Sequence, residues 1–266
     1  MTRSINKGSV KIVVKHRQKE QEYDDDEELQ ETAEFNGISQ FPDDEELIIT
    51  RVERTKSREA RYRISFGNYS LTVLEDVMIK YRMTRGNIFM KKDLEEIIIA
   101  DERQRTYVQS LRFLEFKQRT RHELKEKLKQ KEFAMPIIDE VLDRLVQEKL
   151  VDDDLFAKEW TRQRMEGQRK GKLWIRQELR QKGIANELIA EVLDDVSEDA
   201  EYDTALIAGR KKWKQVRGDV QEKKRKTFPF LMRRGFSTDL VRRVMNRLLE
   251  EDEAEDAEDD EALLWD

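Results

Sequence analysis

Between residues 61 and 73 the sequence RYRISFGNYSLTV alternates apolar and polar positions with a period of two. Tyr62, Ile64 and Phe66 share one face, and Tyr69, Leu71 and Val73 follow on the other side of Gly67-Asn68. A Gly-Asn pair between two such runs predicts a tight β-hairpin, because both residues tolerate positive φ. ELIITRVER at 46–54 adds a further alternating run, so a sheet of two or three strands is expected. From about residue 74 the apolar spacing lengthens to that of a helix. The predicted fold is mainly α, with tandem three-helix, helix-turn-helix-like repeats in an elongated array, preceded by the small β-hairpin or sheet.

The repeats are visible as self-similarity. RHELKEKLKQKEFAMPIIDEVLDRL (121–145), KLWIRQELRQKGIANELIAEVLDDV (172–196) and KRKTFPFLMRRGFSTDLVRRVMNRL (224–248) align without a gap. Leu128, Leu179 and Leu231 coincide, as do Phe133, Ile184 and Phe236, and Val141, Val192 and Val244. Spacing of this kind indicates stacked supersecondary units, each burying part of its apolar surface against a neighbour. Gly183 and Gly235 stand where the middle helix should stop in the left-handed conformation, whereas the first copy has Glu132. Pro229 falls inside the middle helix of the third copy, where the pattern is looser.

These signals divide the chain into an acidic, disordered extension over 1–45, a β-hairpin and helices over 46–105, repeats over 106–151, 152–200 and 201–249, and an acidic disordered tail over 250–266. Charge sharpens the division. Residues 1–49 hold 6 Lys/Arg against 13 Asp/Glu, and residues 250–266 hold none against 11. The intervening body carries 46 basic and 34 acidic side chains, a net of +12. A basic body suggests a polyanionic partner, nucleic acid or an acidic protein surface, although charge runs are more commonly solvated helix faces.

Composition closes off several chemistries. With no Cys and only His16 and His122, the chain offers no thiolate site and little for a histidine metal site or a Ser-His pair. Cysteine-free composition fits a reducing cytosol. No apolar run approaches the ~20 residues of a membrane span, and no signal peptide is expected. GQRKGK at 167–172 lacks the spacing and terminal Ser/Thr of a phosphate-binding P-loop. Asp152, Asp153 and Asp154 could suggest a hard-cation site, but no Asp-x-Asp-x-Asp loop closed by Glu follows. They precede a helix with apolar Leu155, Phe156 and Trp160, so they are expected to cap it. Trp160, Trp174 and Trp213 could stack on bases, though core positions are the commoner use of such aromatics. No catalytic residue, metal or cofactor is predicted, and a monomer is expected.

The surface best suited to a partner lies in the middle repeat, where Arg162, Arg164, Arg169, Lys170, Lys172, Arg176 and Lys182 crowd the end of one helix and the start of the next. Like charges at this density favour a nearby polyanion. The alternative function class is a sequence-independent DNA-binding architectural protein. The third repeat motivates it, with 14 Lys/Arg against 4 Asp/Glu over 203–249. The tail's 11 acids would then act as an intramolecular mimic of phosphate.

RTRHELKEKLKQKEF (119–133), LVDDDLFAKEWTRQR (150–164) and GKLWIRQELRQKGI (171–184) together resemble the RecX family of regulators of the bacterial recombinase RecA. YRISFGNYSLTVLEDVMIKYRMTRG (62–86) resembles the segment preceding the repeats in members from Gram-positive bacteria. The similarity covers roughly residues 47–249 and does not include the acidic ends. The resemblance implies a cytoplasmic, non-enzymatic protein of DNA repair, recombination and the SOS response. Such a protein binds the RecA filament on single- or double-stranded DNA and most often inhibits its recombinase and coprotease activities. The family's L-D-D-x-x-F-A pattern falls on Leu150 or Val151, Asp152, Asp153, Phe156 and Ala157, and its downstream basic residues on Arg164, Lys172 and Lys182.

Overall fold

A computed structural model describes residues 38–57 and 59–263, with side chains to residue 254. The chain divides into two compact units, one ending at Glu95 and the other beginning at Glu96.

In the first unit, β2 (Arg51–Arg54), β3 (Arg61–Phe66) and β4 (Tyr69–Leu74) form an antiparallel sheet in the order β2-β3-β4. The expected hairpin is present: Phe66 pairs with Tyr69 across a turn in which Gly67 has φ of +63°. A second antiparallel pair joins β1 (Leu47–Ile48) to β5 (Ile88–Phe89). Between them lies the short helix α1 (Glu75–Lys80). Alternation places Ile64, Phe66 and Val73 inward, and Phe41 packs on Phe66 edge-on with ring centroids 5.8 Å apart. Phe41 therefore corrects part of the expectation for 1–45: this buried aromatic fixes residues 38–45 to the sheet, where the run of acids suggested disorder. Residues 1–37 lie outside the described residues.

The second unit holds the repeats from Glu96 onward. The first consists of α2 (Lys91–Phe116), α3 (Arg121–Gln130) and α4 (Met135–Gln147). The second consists of α5 (Asp153–Glu166), α6 (Lys172–Gln181) and α7 (Asn186–Asp194). The third consists of α8 (Glu198–Gln215), α9 (Val220–Arg233) and α10 (Thr238–Leu263). Each has its own apolar core at matching positions: Leu128, Ile138 and Val141; Leu179, Ile189 and Val192; Leu231, Val241 and Val244. Burial of such side chains supplies about 1.5–3 kcal/mol apiece, which lets units of this size fold beside one another.

Three boundaries differ from the sequence expectation. The breaks at 105/106 and 200/201 fall inside α2 and α8, which start at Lys91 and Glu198. Ser197 explains the second start, because its hydroxyl accepts the Ala200 N–H and so caps α8. The third difference is at the C-terminus. The tail was expected to be disordered from residue 250, but α10 continues to Leu263, and its first acids are held by cations of the third repeat. Residues 264–266 lie outside the described residues.

Candidate partner interface and the junctions that shape it

The three middle helices end alike, in a residue with positive φ: Glu132 at +62°, Gly183 at +75° and Gly235 at +85°. A Cβ disfavours this conformation, so glycine is the usual occupant. The structure adds a second reason for glycine in two of the three. Each of those turns seats on the N-terminus of the preceding repeat's middle helix. A Cβ on Gly183 would lie 2.2 Å from His122 Cγ, and one on Gly235 would lie 2.3 Å from Trp174 N. Glu132 is exposed and has no earlier repeat against it, so it bears only the backbone cost.

Hydrogen bonds fix both junctions. At the first, Thr120 Oγ1 donates to Lys182 O at 2.7 Å and Lys182 Nζ to Glu123 Oε1 at 2.7 Å. At the second, Gly171 N donates to Arg234 O at 2.9 Å and Leu173 N to Gly235 O at 3.1 Å. The first helix of the following repeat contributes as well. Asp153 of α5 accepts Arg121 N–H at 2.9 Å, and Glu201 of α8 accepts Lys172 N–H at 2.9 Å, so each satisfies an amide at the start of the previous repeat's middle helix. The three aspartates thus divide their roles. Asp152 caps its own helix through Leu155 N–H, Asp153 caps α3, and Asp154 pairs with Lys158. Burial pushes the Asp153 carboxyl pKa up, against the Arg121 N–H and guanidinium that pull it down.

The stack also has a built end. Val220 begins α9 one turn earlier than the repeat register requires, because Lys223 matches Thr120 and Gly171 at the starts of α3 and α6. The amides that would receive a further repeat are consumed inside α9.

Against these junctions lies a cluster of cations and aromatic rings in the middle repeat. Glu178 is its hub, accepting from Arg164 Nε at 2.6 Å and Trp160 Nε1 at 3.0 Å. Arg164 lies 3.7 Å above the Trp160 ring, Lys182 4.2 Å from it, and Lys170 3.4 Å from the Trp174 ring. Phe156 stacks beneath Trp160 at 5.5 Å. Burial pushes the Glu178 carboxyl up, but hydrogen bonds from Arg164, Trp174 and Trp160 outweigh it and hold the group below the usual glutamate range. Burial pushes the Lys170 ammonium down, and the Arg234 and Arg164 charges add to this.

The seven predicted cations therefore separate into two groups. Arg164 and Lys182 have side chains only 16% and 18% exposed and are committed to Glu178 and Glu123, while Lys172 donates to Val196 O just beyond α7 at 2.6 Å. These three hold helices and repeats together. Arg162 is exposed but shared between Glu159 and Glu166. Arg169, Lys170 and Arg176 have no ion-pair partner among the described residues, and Leu155, Leu173 and Trp174 add exposed apolar surface in the same repeat. Of the tryptophans, Trp213 is core at 4% exposure, whereas Trp174 is exposed. Sequence reading missed Glu123 and Glu178 as the anions that hold Lys182 and Arg164, and Glu201 as the acceptor of the Lys172 backbone N–H. One of them carried a signal: Thr120-x-x-Glu123 is a capping box, and both of its hydrogen bonds are formed.

Comparison with known proteins agrees with this architecture. Family models match in chain order: the RecX first three-helix domain over residues 107–145, the second over 152–193 and the third over 199–245. The regulatory protein RecX of Bacillus cytotoxicus is 28% identical over 224 residues, covering 82% of each chain, and that of Bacillus cereus is 29% identical with the same coverage. A crystal structure of regulatory protein RecX superposes with a TM-score of 0.62 at 26% identity, covering 75% of this chain and 99% of that one. RecX from Lactobacillus salivarius shares the fold, with a TM-score of 0.53 at 24% identity over 56% of this chain and 97% of that one. Three consecutive three-helix domains in this order define a tandem-repeat protein rather than a lone helix-turn-helix module. The chain belongs to the RecX family.

Proposed function

We propose that this protein is a non-enzymatic modulator of RecA, most simply an inhibitor, that docks on the RecA filament assembled on DNA and restrains its recombinase and coprotease activities. The observation that carries the reading is the pairing of three RecX domains with a mixed surface on the middle one. There, Arg169, Lys170 and Arg176 lie in the same repeat as exposed Leu155, Leu173 and Trp174. An interface with a protein filament uses apolar and aromatic contacts as well as charge, whereas bare phosphate binding needs charge alone. The proposed contact residues are Arg162, Arg169, Lys170 and Arg176. Arg164, Lys172 and Lys182 shape the surface from within.

The runner-up, sequence-independent DNA binding through the third repeat, draws on its excess of basic residues. Much of that charge is already engaged: Arg210 pairs with Glu251, Lys223 with Asp252, and Arg225 and Lys226 with Glu222. Co-sedimentation with RecA, with and without single-stranded DNA and nucleotide, across a range of salt separates the two. Filament docking predicts pelleting that requires assembled RecA and persists in part at high salt. Pelleting that tracks DNA alone and vanishes steeply with salt supports the runner-up.

A further inference from the structure

The start of the acidic segment makes a contact more specific than screening. Where α10 passes residue 250, Glu251 lies against Arg210 of α8 in a two-point pair, Arg210 Nη2 to Oε1 at 2.6 Å and Nε to Oε2 at 2.9 Å. Arg247, one turn back on α10, also reaches Glu251 Oε1 at 3.0 Å. Asp252 receives Lys223 Nζ on both oxygens, at 2.7 and 2.9 Å, and Trp213 Nε1 on Oδ1 at 2.9 Å. The site is partly desolvated, with the Asp252 side chain 12% exposed and Trp213 4% exposed. Two oxyanions are thus held by a guanidinium fork, an ammonium and an indole N–H carried on three helices. This donor set suits phosphate oxygens equally well.

We infer that Arg210, Lys223, Arg247 and the Trp213 indole N–H form an oxyanion seat on the third repeat that binds the phosphate backbone of single-stranded nucleic acid, and that Glu251 and Asp252 occupy it in competition with that ligand. The buried Trp213 ring is unavailable for stacking, so the seat reads phosphate without reading bases. The carboxyls fit the assignment: hydrogen bonding by Arg210 holds Glu251 low, and at Asp252 the Lys223 and Trp213 hydrogen bonds overcome burial to do the same. Both anions are tethered to the seat, so an external polyanion competes against an effective concentration that can reach the millimolar range.

The inference is independent of the recombinase reading, because the test contains no recombinase. Full-length E251Q/D252N protein keeps the shape of the segment and removes the two competing charges. Its affinity for a labelled oligodeoxythymidylate and for inorganic polyphosphate should rise about three- to tenfold at physiological salt, and the slope of log affinity on log salt should steepen by about 1. Adding R210Q/K223Q should abolish the gain. Truncation after residue 254 retains Glu251 and Asp252 while removing most of the tail charge, and should recover only a minor part of it. A thermal melt confirms that each variant remains folded. Superimposable wild-type and E251Q/D252N titrations overturn the proposal. So does a gain that survives R210Q/K223Q, a full gain from the truncation, or a gain for the oligonucleotide without one for polyphosphate.

Discussion

Replacing Gly183 with Ala tests how the repeats are joined. The residue sits at φ +75°, and its new Cβ would stand 2.2 Å from His122 Cγ and 2.3 Å from His122 Cβ. The left-handed backbone costs an alanine about 1–2 kcal/mol. Separating the overlapping atoms by shifting the turn off α3 costs about 1–3 kcal/mol more. The expected loss is about 2–5 kcal/mol, read by urea denaturation at pH 7. Three companions identify the cause. H122G removes both clashing atoms, so G183A in that background should cost only the backbone component, giving a coupling of about 1–3 kcal/mol in a double-mutant cycle. At Gly235 the nearest atom is the backbone N of Trp174 at 2.3 Å, so W174A should not rescue G235A. At Glu132, with the same backbone conformation and no repeat packed against it, E132G should lie within about 1 kcal/mol of wild type. Equal costs for G183A in the wild-type and H122G backgrounds, or a G183A cost below about 0.5 kcal/mol, refute the docking role of the turn.

Further predictions follow from the division among the seven cations. R169A/K170A/R176A should weaken filament binding severalfold with an unchanged melting temperature, whereas R164A and K182A should each lower it, because each leaves a half-buried carboxylate without its partner. D152A should cost about 1 kcal/mol through the lost α5 cap, while D152N, which keeps an acceptor oxygen, should cost less, as measured by denaturant titration. Glu123 is raised by burial but held below its ordinary range by Lys182 and the Thr120 N–H, and Glu178 is likewise held low. A depressed folded pKa gives stability that is present above the unfolded value and lost as pH falls through the glutamate range, partly offset by Asp153, whose raised pKa works in the opposite sense. Stability measured from pH 7 down to pH 3 should therefore fall, and E123Q should flatten that profile.

The hairpin and the nine helices of the repeats were legible in the sequence because they rest on local signals: alternation around Gly67-Asn68, and an apolar register that recurs at Leu128, Leu179 and Leu231. What was not legible depends on distance. Arg164, Lys172 and Lys182 read as free cations, since their anions or carbonyls, Glu178, Val196 and Glu123, lie 14, 24 and 59 residues away in sequence. Phe41 looked like part of a polar extension because one aromatic among acids gives no periodicity. The tail looked disordered for the same reason, yet α10 already existed as a template, and Arg210, Lys223 and Trp213 give its first acids partners that composition could not reveal. At Gly183 and Gly235 the residue type was read correctly as a helix stop. Its second purpose, close approach to the neighbouring repeat, required coordinates.

Modulation of RecA by this protein is tested by the single-stranded-DNA-dependent ATPase rate of RecA titrated with it, with R169A/K170A/R176A in parallel. Docking on the filament predicts a saturable fall in rate with wild-type protein and a curve displaced severalfold to higher concentration for the variant. An ATPase rate that stays constant at saturating protein, over filaments shown by light scattering to be intact, would contradict it.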